Sequence, residues 1–107
     1  MTDYIVIGEL EVKTSDETNI MTWHKAMKGF GDDWRLPTRE ELNLLYKNRD
    51  VVGGFTSNSY WSSSESGSFF AWYQNFNDGY QSYSNKNTAL SVRAVRAIEM
   101  EKTTHTT

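Results

Sequence analysis

Rings and amides crowd one stretch of the chain: Phe69-Phe70, then Tyr73-Gln74-Asn75, then the run from Asn77 through Asp78, Gly79, Tyr80, Gln81, Ser82, Tyr83, Ser84, Asn85 and Lys86 to Asn87. This is the chemistry of recognition. Tyrosine offers a rigid amphipathic ring at small entropic cost, while Ser, Asn and Gly add adaptable hydrogen bonds. The candidate contact residues are Phe69, Tyr73, Asn75, Asn77, Asp78, Tyr80, Gln81, Tyr83, Asn85 and Asn87. Strand alternation places Tyr73 and Asn75 on one face with Trp72, Gln74 and Phe76 on the other, and sets Gln81 and Tyr83 against Tyr80 and Ser82. One set of each strand must then face away from the core. The plainer reading is that Asn and Ser fill exposed turns and each Tyr caps a small core. That reading fits any single residue better than it fits the cluster.

Catalysis asks for a nucleophile beside a base, paired carboxylates, or a metal cluster. None stands at a recognisable spacing. The two histidines are His24, on an expected helix face, and His105, near the C-terminus, and Ser62-Ser63-Ser64 lacks a Gly-x-Ser-x-Gly elbow. With no cysteine there is no disulfide framework and no thiolate metal site, so stability must come from packing or assembly. The chain is read as non-catalytic and without a cofactor.

The elements that would position the aromatic stretch are short. Tyr4 to Val12 reads as a strand, from its β-branched residues and partial alternation. Lys13 to Asn19 is polar and turn-forming. From Thr22 as N-cap, Trp23, Met27 and Phe30 recur at helical spacing, and Gly29 and Gly31 offer a left-handed stop. Leu36-Pro37 forces extended backbone, and Thr38-Arg39-Glu40-Glu41 matches a capping box ahead of Leu42, Leu45 and Tyr46 on one helical face. Arg49 to Ser59 reads as a loop. Tyr60 to Ser64, Phe70 to Phe76, Tyr80 to Tyr83 and Val92 to Ile98 read as short strands of an antiparallel meander. Asn77-Asp78-Gly79 makes the turn of its central hairpin, because Asp-Gly tolerates positive φ. The expectation is an α+β fold with two short helices packed on a small, mainly antiparallel sheet. Residues 1–100 form one domain, and 101–107 are a polar tail with no apolar anchor, which needs a neighbour to hold it.

Four ordered motifs carry a family resemblance: Trp34-Arg35-Leu36-Pro37-Thr38-Arg39-Glu40-Glu41-Leu42, Tyr60-Trp61-Ser62-Ser63-Ser64-Glu65, Ala71-Trp72-Tyr73 with Phe76-Asn77-Asp78-Gly79, and Val92-Arg93-Ala94-Val95-Arg96. Over roughly residues 23–98 the chain resembles the DUF1566 or Lcl C-terminal domain family of bacteria and phages. The resemblance implies a C-type-lectin-like fold, related to formylglycine-generating-enzyme-like modules and to receptor-binding proteins diversified by retroelements. It also implies ligand binding as the function, with the ligand left open. In the diversified relatives, the variable contact residues concentrate just before the final Val-Arg-containing strand. Lectins of this fold often bind Ca2+, and Asp78, Asn85 and Asn87 are the oxygen donors on offer; the Glu-Pro-Asn or Gln-Pro-Asp signature is absent, Pro37 being the only proline. Formylglycine-generating enzymes use cysteines, which this chain lacks.

For the motif residues the architectural reading comes first. Trp34, Trp61 and Trp72 are core rings, with indole N–H groups and serine hydroxyls satisfying one another. Arg35, Arg93 and Arg96 are structural forks onto Glu40, Glu41, Glu65 or carbonyls, or else clamps for a ligand carboxylate or phosphate.

Composition narrows the partners. A formal charge of −3 gives no general attraction to phosphate backbones, and 14% aromatic residues are too many for a disordered chain. Nucleic acid and membrane insertion are not expected, since no apolar run approaches the roughly 20 residues of a spanning helix and no signal peptide opens the chain. The expected function is a non-catalytic adhesion module on a phage virion or bacterial surface, made in the cytoplasm and recognising a host-surface glycan or protein, as a homo-oligomer or beside other virion or surface proteins. The alternative is a structural virion protein, a capsid decoration or fibre subunit, using the same face for subunit contacts.

Overall fold

The computed structural model describes residues 3–98, so the polar tail lies outside the described residues. Two antiparallel strands open the fold, β1 (Tyr4–Ile7) and β2 (Leu10–Lys13), paired with Ile7 opposite Leu10. The single strand expected from Tyr4 to Val12 is therefore a hairpin. Gly8, at φ +62°, supplies the left-handed residue that lets the chain reverse between two apolar runs. β-branched residues on both sides of that glycine hide the break from a pattern count.

One turn of helix, α1 (Trp23–Ala26), follows Thr22, whose side chain makes no capping hydrogen bond. Trp23 and Ala26 are buried but Met27 is exposed, and Gly29 and Gly31 end the segment at φ +85° and +81°. The next helix, α2 (Arg39–Lys47), has the reciprocal capping box read from sequence: the Glu41 N–H donates to Thr38 Oγ1 at 3.1 Å, and the Thr38 N–H donates to Glu41 Oε1 at 2.9 Å. Its Leu42 and Leu45 are fully buried. The expected loop from Arg49 begins instead with a helical turn, α3 (Arg49–Val52), which buries Val52.

The second half forms β3 (Ser59–Glu65), β4 (Phe70–Asn75), β5 (Gln81–Asn85) and β6 (Val95–Ala97). β3, β4 and β5 make one three-stranded antiparallel sheet in that order. β6 leaves this meander and pairs with β2, completing a second sheet in the order β1-β2-β6. The fold is α+β, with two small sheets where one was expected. Local pattern does not reveal that long-range choice: Val92 to Val95 is buried throughout and alternates on neither face.

Two apolar clusters fill the interior. One gathers Leu10, Val12, Leu42, Leu45, Tyr60, Phe76 and Val95 between the first sheet and α2; the other gathers Trp23, Ala26, Leu36, Trp61, Ala71 and Val92 on the opposite side of β3 and β4. Adjacent residues of β3, Tyr60 and Trp61, go to different clusters, as alternation requires.

Arginines join the pieces as structural forks. Arg35 makes two hydrogen bonds to Glu41, at 2.8 and 3.2 Å. Arg93, fully buried, and Arg96, paired with Glu11 at 2.6 Å, do not take Glu40, Glu41 or Glu65, but both donate to carbonyls as the same reading allowed, Arg96 to that of Asp32. Arg93 Nε donates to Asp16 Oδ1 at 2.9 Å, and its Nη1 donates to the carbonyls of Lys13 and Gly53, each at 3.0 Å. Its Nη2 lies 2.8 Å from the same Asp16 oxygen yet makes no aligned hydrogen bond, so Nε carries the pairing. Asp16 also accepts the Tyr60 hydroxyl at 2.6 Å, which links this clamp to β3. Burial, and then that hydrogen bond to Asp16, pushes the Tyr60 phenol above its ordinary range. The indole N–H groups of Trp23 and Trp61 donate to the carbonyls of Ser62 and Met21, not to serine hydroxyls. Glu65 accepts from Lys86.

Candidate functional site

The Asp-Gly turn fixes the register of the β4-β5 hairpin and thereby the side chains that share a face. Gly79 stands at φ +84°, where a Cβ would come within 2.5 Å of Tyr46 Cε2, so glycine answers both a backbone and a packing demand. From that turn the register runs Gln74 opposite Gln81, Trp72 opposite Tyr83 and Phe70 opposite Asn85.

On the face toward α2, Phe70, Trp72 and Tyr83 make a contiguous aromatic strip. The Phe70 and Tyr83 rings lie 5.8 Å apart at 69°, and Trp72 and Tyr83 lie 5.5 Å apart at 84°, both edge-to-face. Arg39, the first residue of α2, lays its guanidinium 3.6 Å from the centre of the Trp72 ring and donates to Gln81 Oε1 at 3.0 Å. Among the described residues Arg39 is in no ion pair. Tyr83 is 53% exposed and Phe70 40%.

The opposite face holds Tyr73, half-buried against the Trp61 cluster, beside Ser82 across the strand pair. The candidate residues therefore do not form one surface. Tyr73 and Asn75 belong to one face and Gln81 and Tyr83 to the other, while Phe69 (71% exposed) and Tyr80 (65%) stand in the turns at the two ends of the hairpin.

Several of the amides do structural work. Asn75 Oδ1 accepts the Asn77 N–H at 2.7 Å, Asp78 Oδ1 accepts the Tyr80 N–H at 2.9 Å, and Asn85 Oδ1 accepts the Asn87 N–H at 2.8 Å. These are side-chain turns that shape the loops. Gln81 Nε2 donates to the Arg39 carbonyl at 2.9 Å and lies 3.3 Å from Gln74 Oε1. Gln74, fully buried, donates to Asn43 Oδ1 and the Gly79 carbonyl, tying the turn to α2. Asp78 and Asn85 sit at opposite ends of β5, separated by roughly 15 Å or more of extended chain, so Asp78, Asn85 and Asn87 do not converge on one Ca2+ ion. Among the described residues no group of three His, Cys, Asp or Glu side chains is placed to hold a metal.

Phe70, Trp72 and Arg39 share this face with Gln81 and Tyr83 but stand outside the candidate set read from sequence. Trp72 was assigned to the core as a large ring. The signal was present, because alternation puts Phe70 and Trp72 in one row, and counting across the Asp-Gly turn sets Tyr83 beside them.

An open cleft of about 600 Å³ lies by the first sheet and is lined by Tyr4, Lys13, Trp34 and Arg96 among others. Its cations are committed: Lys13 lies 3.8 Å from Glu17, and Arg96 binds Glu11 and the Asp32 carbonyl while stacking 4.2 Å from the Trp34 ring. The hydrogen bond to Glu11 holds the Arg96 guanidinium above its ordinary range. This cleft is a braced seam, whereas the strip beside Arg39 leaves the Phe70 and Tyr83 rings exposed.

No helix among the described residues is long and apolar enough to cross a membrane. Residues 11–96 match the Lcl C-terminal domain family. No curated protein matches the chain.

Proposed function

The chain belongs to the Lcl C-terminal domain family, and from that premise we propose that it is a non-catalytic ligand-binding module, C-type-lectin-like in manner, carried on a phage virion or bacterial surface. Its ligand is a host-surface glycan or envelope protein. The observation that carries this reading is the aromatic strip in which exposed Phe70 and Tyr83 flank a half-buried Trp72, edged by Arg39. A half-exposed ring stack offers apolar area to the C–H face of a sugar or to a partner's side chains, and the guanidinium beside it supplies donors to hydroxyl or carboxylate oxygens. The rings meet one another edge-to-face, so little ordering is left to do on binding. Phe69 and Tyr80 flank the strip as further exposed rings. Display in several copies makes a weak single site useful.

The test is whole-cell binding together with a glycan-array screen, comparing the native chain with Tyr80→Ala plus Tyr83→Ala. The doubly substituted protein keeps its thermal transition and loses binding. Unchanged binding with intact stability refutes the assignment. The competing reading, a capsid decoration or fibre subunit, uses the same rings against a neighbouring chain. It prevails if Tyr80 and Tyr83 are buried at a subunit contact in the assembled particle.

A further inference from the structure

Among the described residues β5 is an edge strand: it pairs with β4 on one side and with no strand on the other. Its register decides which main-chain groups are left over. The Asn75 N–H donates to the Tyr80 carbonyl and the Lys86 N–H to the Phe69 carbonyl, so the hydrogen-bonded pairs of this ladder are Asn75 with Tyr80, Tyr73 with Ser82, Ala71 with Ser84 and Phe69 with Lys86. Gln81, Tyr83 and Asn85 lie between those pairs and turn their N–H and C=O groups outward. Of these outward groups, the Asn85 carbonyl accepts the Thr88 N–H at 2.9 Å.

Edge strands are ordinarily blunted by a charge, a proline or a bulge. From Gly79 to Asn85 this strand has no charged residue and no proline, and its pairing with β4 runs from Phe70 to Gln74 without a register shift. This stretch of edge is uncharged and unbulged.

We propose that β5 pairs antiparallel with β5 of a second copy of this chain about a two-fold axis at Tyr83, joining two three-stranded sheets into one of six strands. The self-pairing is favourable at each step. Tyr83 faces Tyr83 of the second copy, Gln81 faces Asn85, and Ser82 faces Ser84, so no like charges oppose and the outward N–H and C=O groups meet in hydrogen-bonding register. A two-fold contact needs this self-complementarity, which an arbitrary partner's strand does not offer. The dimer also sets the two Phe70-Trp72-Tyr83 strips end to end on one face. The backbone pairing does not depend on the ligand reading: the edge uses main-chain N–H and C=O groups and the face uses rings, Tyr83 being common to both. With so little side-chain area buried, the dissociation constant falls between about 1 μM and 1 mM.

Sedimentation velocity from about 10 μM to 1 mM and amide hydrogen exchange by NMR test this together. Expected is a monomer–dimer equilibrium in which the Gln81 and Tyr83 amides become protected as concentration rises, while protection of Ser82 and Ser84 stays constant. Tyr83→Pro removes the outward N–H, which an edge strand tolerates, together with the ring that stacks on Phe70 and Trp72, and gives a monomer that keeps the β3-β4-β5 sheet. If that variant unfolds, Tyr83→Lys, which sets like charges across the axis, makes the same prediction. Phe70→Ala, which alters the face alone, leaves the dimer intact. A native chain that is monomeric at 1 mM overturns the proposal, as does a dimer that survives Tyr83→Lys or one in which the Gln81 and Tyr83 amides stay unprotected.

Discussion

Replacing Arg93 by alanine removes a fully buried charge from the interior. The side chain is fully buried, holds Asp16 through Nε, satisfies the carbonyls of Lys13 and Gly53, and packs its guanidinium 3.9 Å from the centre of the Phe55 ring. Truncation leaves those carbonyls without their donor and leaves a largely buried Asp16 carboxylate whose other partner is the Tyr60 hydroxyl. Breaking a buried pair by removing one member costs about 3–5 kcal/mol, because the surviving charge stays desolvated and unpaired. Domains of this size have about 5–15 kcal/mol of stability and lose about 4–8 °C of Tm per kcal/mol. Arg93→Ala should therefore lower the transition by about 15 °C or more, or abolish folding at 37 °C. Urea unfolding by linear extrapolation measures it, with Asp16→Asn as the milder companion. Arg93→Lys should fail nearly as badly, since an ammonium cannot reproduce the three-way fork. A loss below about 1 kcal/mol in Arg93→Ala would refute the claim that this clamp joins the N-terminal hairpin to β3.

Gly79→Ala should cost about 1–3 kcal/mol, because φ +84° is strained for any side chain and the new methyl meets the Tyr46 ring; a thermal melt within 1 °C of the native protein would show that the turn does not need glycine. Glu41 sets the acid limit of α2. Burial raises its carboxyl pKa, but the Arg35 hydrogen bond and the Thr38 N–H outweigh that and hold it below the ordinary carboxylate range. Its contribution is then complete above about pH 4.3 and is lost as pH falls through the lowered folded value. Glu41→Gln should cost about 1 kcal/mol near neutral pH and flatten the acid limb of stability against pH, whereas an unchanged limb would remove Glu41 from the account. Thr38→Ala should cost about 1 kcal/mol by loss of the cap, read by urea unfolding; no loss would mean that α2 starts without it.

How much of this was legible in the residues depends on whether the cause is local. The capping box at Thr38 and Glu41 and the Asp-Gly turn are settled within four residues of chain, and both stand where the sequence places them. The hairpin at Gly8 was hidden because β-branched residues continue on both sides of one glycine. The pairing of β6 with β2 joins residues more than 80 positions apart, such as Leu10 and Ala97, and no local pattern encodes it. At the candidate site, Tyr80, Tyr83 and Phe70 are exposed while Trp72 is half-buried beneath Arg39, and its place in their row is legible only once the register across the Asp-Gly turn is traced. The amides of Asn75, Asp78 and Asn85 looked like contact groups because Asx turns and binding loops draw on the same residues.

The most direct test of the central claim is a two-dimensional NMR titration of the labelled protein with whichever glycans or envelope fractions the screen returns. The account predicts that the shifts concentrate on the Trp72 indole, Tyr83, Phe70 and Arg39, and that Trp72→Ala abolishes them while the rest of the spectrum stays native. Shifts gathered instead around Trp34 and Arg96, with the strip unmoved, would contradict it.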